Sequence, residues 1–519
     1  MPSLRFVSKF HQVAKASPAA PALVWQGETR TYGELLDLVR PAREKVAALG
    51  DQGPICVPGG KSPDVIALLI ACWEKERPVL LPSDKNAPAA IDDLAARAGC
   101  DHIAAVSRAG EFLAWRKPPA ECAVPTGGLS FPADMLLMLT TSGSTSSPKV
   151  VLTSSSGIDA FIDWARDRFR LSGNTVALNY APLNFDICLL DVWATLAVGG
   201  CVVLVEAAEA VSAESLSRLI SVHGVTLTQA VPFFFRTLAD AAAGPFQTVR
   251  DVLITGEAAG SATVRALPTL FPAAAVTNVY GCTETNDSFI HTATSEELAK
   301  GDVLPIGRPL PGVQVRLVTR DGGVVDGAAQ GRLLVSSPYQ VHGYLEAALT
   351  QTQFLPDPDP DCHDEGGSMP SPTRPFFDSG DIASRDEDGV YWFEGRNDHQ
   401  VKVRGVGIST TSVEDALRSC PGVEDVAVIA VPDDIDGHAL HAVIEAAPSS
   451  GRTRLTSLVL RRVCVECLPA AVMPASFTIV EVPLPRTSTG KIDRKSVEDA
   501  VLRNEKAVTS HAKWPSSSC

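Results

Sequence analysis

The sequence predicts an α/β protein: a large N-terminal domain with parallel α/β sheets plus a small β-barrel subdomain, and a small mobile α+β C-terminal domain. Three features carry this prediction. Up to Tyr280, short β-rich runs alternate with Ala/Leu-rich helical stretches, the rhythm of a parallel sheet with crossover helices. From 305 to 354, Gly-bounded short strands replace it, as in a small barrel or meander. Past Gly395-Arg-Asn-Asp398 a strand–helix pattern restarts. The expected units are therefore 1–397 and 398–506, with a frayed tail at 507–519.

In chain order, Pro54–Val57 and Pro78–Pro82 read as strands around the apolar run Val65–Trp73. Further β-rich runs are Cys201–Val205, Val225–Val231, Asp251–Thr255 and Ala275–Tyr280. Three of them run into Pro232-Phe-Phe, Gly256-Glu257 and Gly281-Cys-Thr-Glu284. Ligands of open α/β sheets bind outside the carboxyl ends of strands, so these three ends predict one crevice. Val313–Val318 and Gly331–Val335 are the strands of the second region. The Pro/Asp/Gly-rich tract Leu355–Pro375 reads as a surface insertion rather than a metal site. In the last unit an alternating strand, Gln400–Arg404, leads into a helix over Ser412–Ser419.

Composition narrows the function. The chain has 519 residues, 45% hydrophobic and 20% charged, enough for several cores and too apolar for disorder. A net charge of −15 argues against nucleic acid or an anionic membrane as partner, since both attract basic surfaces. Arg452, Arg454, Arg461 and Arg462 read as a solvated helix face. The 12 cysteines are scattered. Cys464-Val-Glu-Cys467 has no second pair to complete a zinc site, so an inert helical pair is expected. With no signal-like or membrane-length apolar run, the expectation is a cytoplasmic protein with reduced thiols.

The chemistry-bearing motifs are polar and ordered. Thr141-Ser-Gly-Ser-Thr145, with Lys149, follows the apolar run Met135–Leu139, but does not fit a Walker A loop. Then come Asn278-x-Tyr-Gly-x-Thr-Glu284, Asp378-Ser-Gly-Asp381, Gly395-Arg396 with Gln400-Val-Lys-x-Arg404-Gly405, and Gly490-Lys491-x-Asp-Arg494. A lysine behind a glycine offers a compact charge that a mobile turn can bring to a phosphoryl group.

These five motifs together, over about Tyr32 to Arg494, resemble the adenylate-forming superfamily of acyl-CoA synthetases, nonribosomal-peptide adenylation domains and luciferases. The resemblance implies that Thr141, Ser142, Gly143, Ser144, Thr145 and Lys149 close over the ATP phosphates. It places Tyr280 on adenine, Asn278 on its amino edge and Asp381 on the ribose hydroxyls. Gly256, Gly281, Thr283, Phe393 and Arg396 complete the nucleotide site. Glu284 would hold Mg²⁺ with phosphate oxygens, and Lys491 would stabilise charge on the α-phosphate. Asp398 falls at the family's hinge. Departures are Ser146, Val150, Ser155, Cys282, Gly407 and Ser409; the last two bear on the thiol-acceptor step rather than on adenylation.

Phe185-Asp186 matches the amino-acid-activating branch, where the aspartate pairs with the substrate ammonium. The corresponding pocket would comprise Asp186, Ile187, Leu190, Phe233, Leu253, Thr255, Val279, Asp287, Ser288 and Lys491. Asp287 is unusual there. It would meet a second cationic or hydrogen-bonding group, or an amino group displaced to the β carbon. The expected function is ATP-dependent activation of an amino acid and its loading onto the phosphopantetheine of a separate acyl or peptidyl carrier protein, by a free-standing enzyme. The alternatives are an acyl- or aryl-CoA ligase and a degenerate, non-catalytic nucleotide-binding protein.

Overall fold

A computed structural model describes residues 4–50, 53–58, 60–83, 86–107, 111–119, 131–141, 148–319, 321–359, 374–396, 400–403, 406–433, 437–447, 455–467, 473–487 and 490–502. The predicted α/β class is what it shows, with the sheets more mixed at their edges than the sequence rhythm suggests.

The largest sheet has nine strands. Its centre is parallel: Ala275–Cys282, Asp251–Thr255, Leu227–Ala230, Val176–Asn179, Cys201–Leu204 and Pro21–Trp25 lie side by side. Antiparallel strands close both flanks, Glu28–Thr31 on one and Asn286–Thr292 with Arg308–Pro309 on the other. A six-stranded sheet has a parallel middle of Ile55–Cys56, Val79–Leu81, His102–Val106 and Met135–Thr141. Here too the outer pairings, Phe112–Arg116 and Lys149–Ser154, are antiparallel. Hairpin-length connections explain these edges apart from Arg308–Pro309, which returns through the helix Ser295–Lys300: a parallel partner would need a crossover of a dozen residues or more.

The run Val65–Trp73 is the middle of a helix, Pro63–Glu74, whose residues from Val65 to Trp73 are all buried. A helix apolar all round must be covered on every side. Ser62 starts it by accepting the Val65 N–H at 3.1 Å. Trp73 then packs edge-on to Trp193 at 4.7 Å, within a cluster that draws on both large sheets. Truncating such a side chain to Ala costs about 3–5 kcal/mol.

The barrel-like region is a five-stranded antiparallel sheet in which Gln314–Val318, Ala329–Ser336, Phe376–Arg385 and Phe354–Leu355 are neighbours and Tyr391–Arg396 pairs with Phe376–Arg385. Farther on lie a hairpin, Gln400–Val403 with Val406–Ser409, and a three-stranded sheet, Val423–Asp433, Gly437–Ala446 and Ser476–Val480. The helix expected over 412–419 is Thr410–Arg418. Cys464 and Cys467 share the helix Ser457–Cys467, which also carries Arg461 and Arg462; Arg452 and Arg454 lie outside the described residues. None of the described helices is long and apolar enough to cross a membrane.

Candidate active site

Lys491 reaches the strand ends that the sequence singled out. A Cβ placed on Gly256 would meet Lys491 Cε at 3.6 Å and Nζ at 3.9 Å, and Val231 Cγ1 at 3.2 Å. Gly256 also has φ +89°, so its backbone requires glycine, and a Cβ there would crowd Val231 while only touching the lysine. The lysine's turn is held by its own backbone. Thr487 N–H donates to Lys491 O at 2.8 Å, and Gly490 N–H to Thr487 O at 3.0 Å. Arg486 Nη1 adds a bond to Gly490 O at 3.0 Å. The Lys491 charge bears on two half-buried carboxyls, Asp186 and Glu257, and opposes the rise that desolvation causes in each.

Strand alternation divides the expected residues between two faces of Ala275–Cys282. Asn278 and Tyr280 fall on one side and Val279 on the other. Asn278 is buried and donates from Nδ2 to Pro305 O at 2.8 Å. Tyr280 packs with Phe393 (centroids 6.3 Å apart) and Phe289, and its hydroxyl donates to Asp381 Oδ2. Arg396 Nη1 lies 3.3 Å from Asp381 Oδ1. So Tyr280, Asp381, Phe393 and Arg396 converge, with Asn278 on the same side of its strand as Tyr280. Gly281 follows because Asn286 O would stand 2.2 Å from any Cβ there.

On the opposite face Val279, Leu253 and Leu190 belong to one buried cluster, with Ile187 and Phe185 packed against it. Leu190 lies on a π-helical segment, Leu189–Ala194, a form frequent at functional sites. Asp186 Oδ1 accepts from Thr283 Oγ1 at 3.3 Å. Burial, then the neighbouring Glu284, pushes the Asp186 carboxyl up to about 6. Thr255 is buried at the end of its strand, paired in register with Val279. Ser288 is fully buried and spends its hydroxyl on Thr285 Oγ1 and Asn286 O. Phe233 comes from a different helix, Pro232–Asp240. It faces the Gly490 turn and lies under the guanidiniums of Arg236 (5.4 Å) and Arg486 (5.3 Å). A cavity of about 1160 Å³ runs between these parts, touching Phe185, Ile187, Phe233, Leu484, Arg486 and Gly490.

Glu284 is buried and takes a 2.6 Å hydrogen bond on Oε1 from the Tyr344 hydroxyl. Lys149 Nζ sits 5.5 Å over the same tyrosine ring. Tyr344 therefore joins the expected metal residue to the lysine of the hydroxyl-rich loop. The sequence reading missed it; an aromatic directly after Gly343 was the only signal. Thr141 and Lys149 pair in register, which puts both ends of that loop at this corner. Ser142, Gly143, Ser144 and Thr145 lie outside the described residues, as do Asp398, 360–373 and 507–519.

Comparison with known proteins agrees with this geometry. Residues 10–345 match the family model described as "AMP-binding enzyme", and residues 412–491 match "AMP-binding enzyme C-terminal domain". The chain is 30% identical over 509 residues to the phosphinothricin tripeptide synthetase PhsC of Streptomyces viridochromogenes, covering 95% of this chain and 45% of that protein. It is 29% identical over 512 residues to a phenyloxazoline synthase of Mycobacterium sp. (strain MCS), with 95% and 42% covered. The chain thus spans less than half the length of these two relatives. Against the D-alanine--D-alanyl carrier protein ligase of Bacillus licheniformis, identity is 27% over 518 residues, with 96% of this chain and 100% of the ligase covered. Among solved structures, Klebsiella oxytoca NpsA in complex with 3-hydroxyanthranilyl-AMSN superposes with a TM-score of 0.78 at 21% identity, covering 96% and 99% of the two chains; this likeness bears on the fold. By sequence match over most of its length, the chain belongs to the family of AMP-binding enzymes.

Proposed function

We propose that this chain activates an amino acid with ATP and passes it to the phosphopantetheine thiol of a separate carrier protein. The observation that carries the reading is Lys491 lying against Gly256 with its charge on Asp186. Two groups from distant parts of the chain meet at one place. One fits a developing phosphoryl charge and the other an ammonium.

In the first step a carboxylate oxygen of the amino acid attacks the α-phosphorus of ATP. The bond from that phosphorus to the β-bridging oxygen breaks, and pyrophosphate leaves. Lys491 offsets charge on the α-phosphate, an effect typically worth a few kcal/mol in such sites. Asn278 and Tyr280 hold the base, while Asp381, oriented by Tyr280 and Arg396, accepts the ribose hydroxyls. Asp186 pairs with the ammonium, with Ile187, Leu190, Leu253 and Val279 walling the side chain. In the second step the thiol sulfur attacks the acyl carbon and AMP leaves, the thiol proton going to solvent.

Among the described residues no three His, Cys, Asp or Glu side chains cluster to cage a metal. Buried Glu284 fits Mg²⁺ that takes most of its oxygens from phosphate and water, as that ion prefers. Bound there, the ion would neutralise the phosphates. The carrier-protein acceptor is supported by the end-to-end similarity to a carrier protein ligase.

The test is ATP–pyrophosphate exchange over a broad acid panel, then mass detection of product on a carrier protein or on CoA. Exchange with amino acids and a carrier thioester are expected. Exchange only with deaminated acids, or a thioester formed only on CoA, would replace this reading with a CoA ligase.

A further inference from the structure

Asp287 is buried, 7% exposed, and its Oδ2 has no hydrogen-bond partner. A carboxylate oxygen left so is costly and rare, and asks for a missing partner. Register shows where it points. Tyr280 pairs with Phe289, but the next pair is Gly281 with Asp287, so Ser288 is an extra residue in its strand. A bulge of this kind re-aims a side chain. Paired residues share a face, so Tyr280 and Phe289 face the aromatic cluster with Phe393. Gly281 and Asp287 then fall on the other face with Val279 and Ile290, which pack in the cluster that holds Leu190 and Leu253. Asn286, at φ +59°, starts the bulge.

The Asp186 charge is felt at Asp287 and raises it beyond what burial does, up to about 8. Tyr339 feels Asp287 in turn. Lys491 and Glu284 act on Asp186 with opposite signs, and neither figures among the influences on Asp287. An apolar pocket with one ammonium-binding carboxylate serves an ordinary amino acid. Here a second carboxylate lies on the strand face that packs in the Val279 cluster, close enough to Asp186 for the two charges to interact, with one oxygen unsatisfied.

We propose that Asp186 and Asp287 together select a diamino carboxylic acid, Asp186 pairing with the amino group beside the carboxylate and Asp287 with the second, side-chain ammonium. The inference rests on the amino acid-activating reading. On binding, the second ammonium makes its contact with an ionised Asp287, so the carboxyl gives up its proton to solvent. An acid with an apolar side chain leaves that carboxyl protonated and Oδ2 unpartnered.

Exchange is measured with 2,3-diaminopropionate, 2,4-diaminobutyrate, ornithine and lysine against alanine, 2-aminobutyrate, norvaline, serine, threonine and β-alanine. One diamino acid is expected to exceed its monoamino analogue by on the order of 10²-fold in kcat/KM, the scale of a buried charge pair. Asp287→Asn should collapse that ratio, its fold checked by unfolding midpoint. Calorimetry of the unaltered enzyme in two buffers of different ionisation enthalpy should show release of about one proton at pH 7 with the diamino acid and none with its analogue. A preference for an apolar, hydroxyl or β-amino acid overturns the proposal and leaves amino acid activation standing. No exchange with any amino acid overturns both.

Discussion

Arg236 Nε lies 3.1 Å from Glu424 Oε1, joining the helix Pro232–Asp240 of the nine-stranded sheet to the sheet whose chain later delivers Lys491. The contact is not isolated. Arg236 also reaches Asp425 at 3.8 Å and Glu445 at 3.9 Å, and Arg486 meets the same two carboxylates at 2.6 and 3.7 Å. Arg486 in turn holds the Gly490 carbonyl. A chain of charge pairs therefore runs from the pocket helix to the lysine's turn. Arg236→Ala should lower the exchange rate about 5- to 30-fold, roughly the 1–2 kcal/mol of a partly buried network. The effect should shrink in high salt as the unaltered network is screened. Transfer to thiol from preformed adenylate should fall less, and single-turnover rates of the two half-reactions would separate these effects.

Lys491→Ala should cost 10²–10³-fold in exchange, on the order seen when one preorganised transition-state donor is removed. Lys491→Arg should not recover it, because a planar guanidinium spreads its charge and does not place it where the compact ammonium sits. Exchange with saturating substrates checks both. An unaltered Lys491→Ala rate would remove the lysine from the chemistry.

Tyr344→Phe deletes the hydroxyl that donates to Glu284 Oε1 at 2.6 Å. The carboxylate would then lose an orienting bond worth about 1 kcal/mol. The Mg²⁺ concentration for half-maximal exchange should rise about fivefold while the amino acid KM stays within twofold. A titration of exchange against Mg²⁺ reads this directly, and a shift in amino acid KM instead would place Tyr344 in the substrate pocket.

What the sequence made legible was local and polar. The strand-end motifs sit where their β-rich runs end, and Tyr280, Asp381 and Arg396 from separate motifs are in contact. What it hid depends on pairing. Register decides that Asp287 shares a face with Val279, and one extra residue reverses such an assignment. Phe233 lines the cavity with Phe185 and Ile187, but that it also packs under Arg486 depends on a contact with a distant part of the chain. Tyr344, marked only by its place after Gly343, and Arg236 were hidden because their partners are far away in the chain.

Stability should depend on pH through the two pocket carboxyls. Burial raises Asp186 to about 6 and Asp287 to about 8, both above the ordinary aspartate value near 3.9. Between about 4 and these values the folded chain keeps protons that the unfolded chain has released. Their contribution is therefore full below about pH 4 and fades as pH rises through 6 and then 8. Asp287→Asn keeps the shape and removes the second of these ionisations. It should raise the unfolding midpoint of the ligand-free protein at pH 8.5 relative to the unaltered chain, with the gap closing toward pH 5. Kinetics should run the other way. Asp186 must be ionised to hold an ammonium, so kcat/KM for the amino acid should drop as pH falls below about 6. Midpoints and exchange rates over pH 5–9 test both limbs. A gap between Asp287→Asn and the unaltered chain that stays constant with pH would mean that Asp287 is already ionised in the empty pocket.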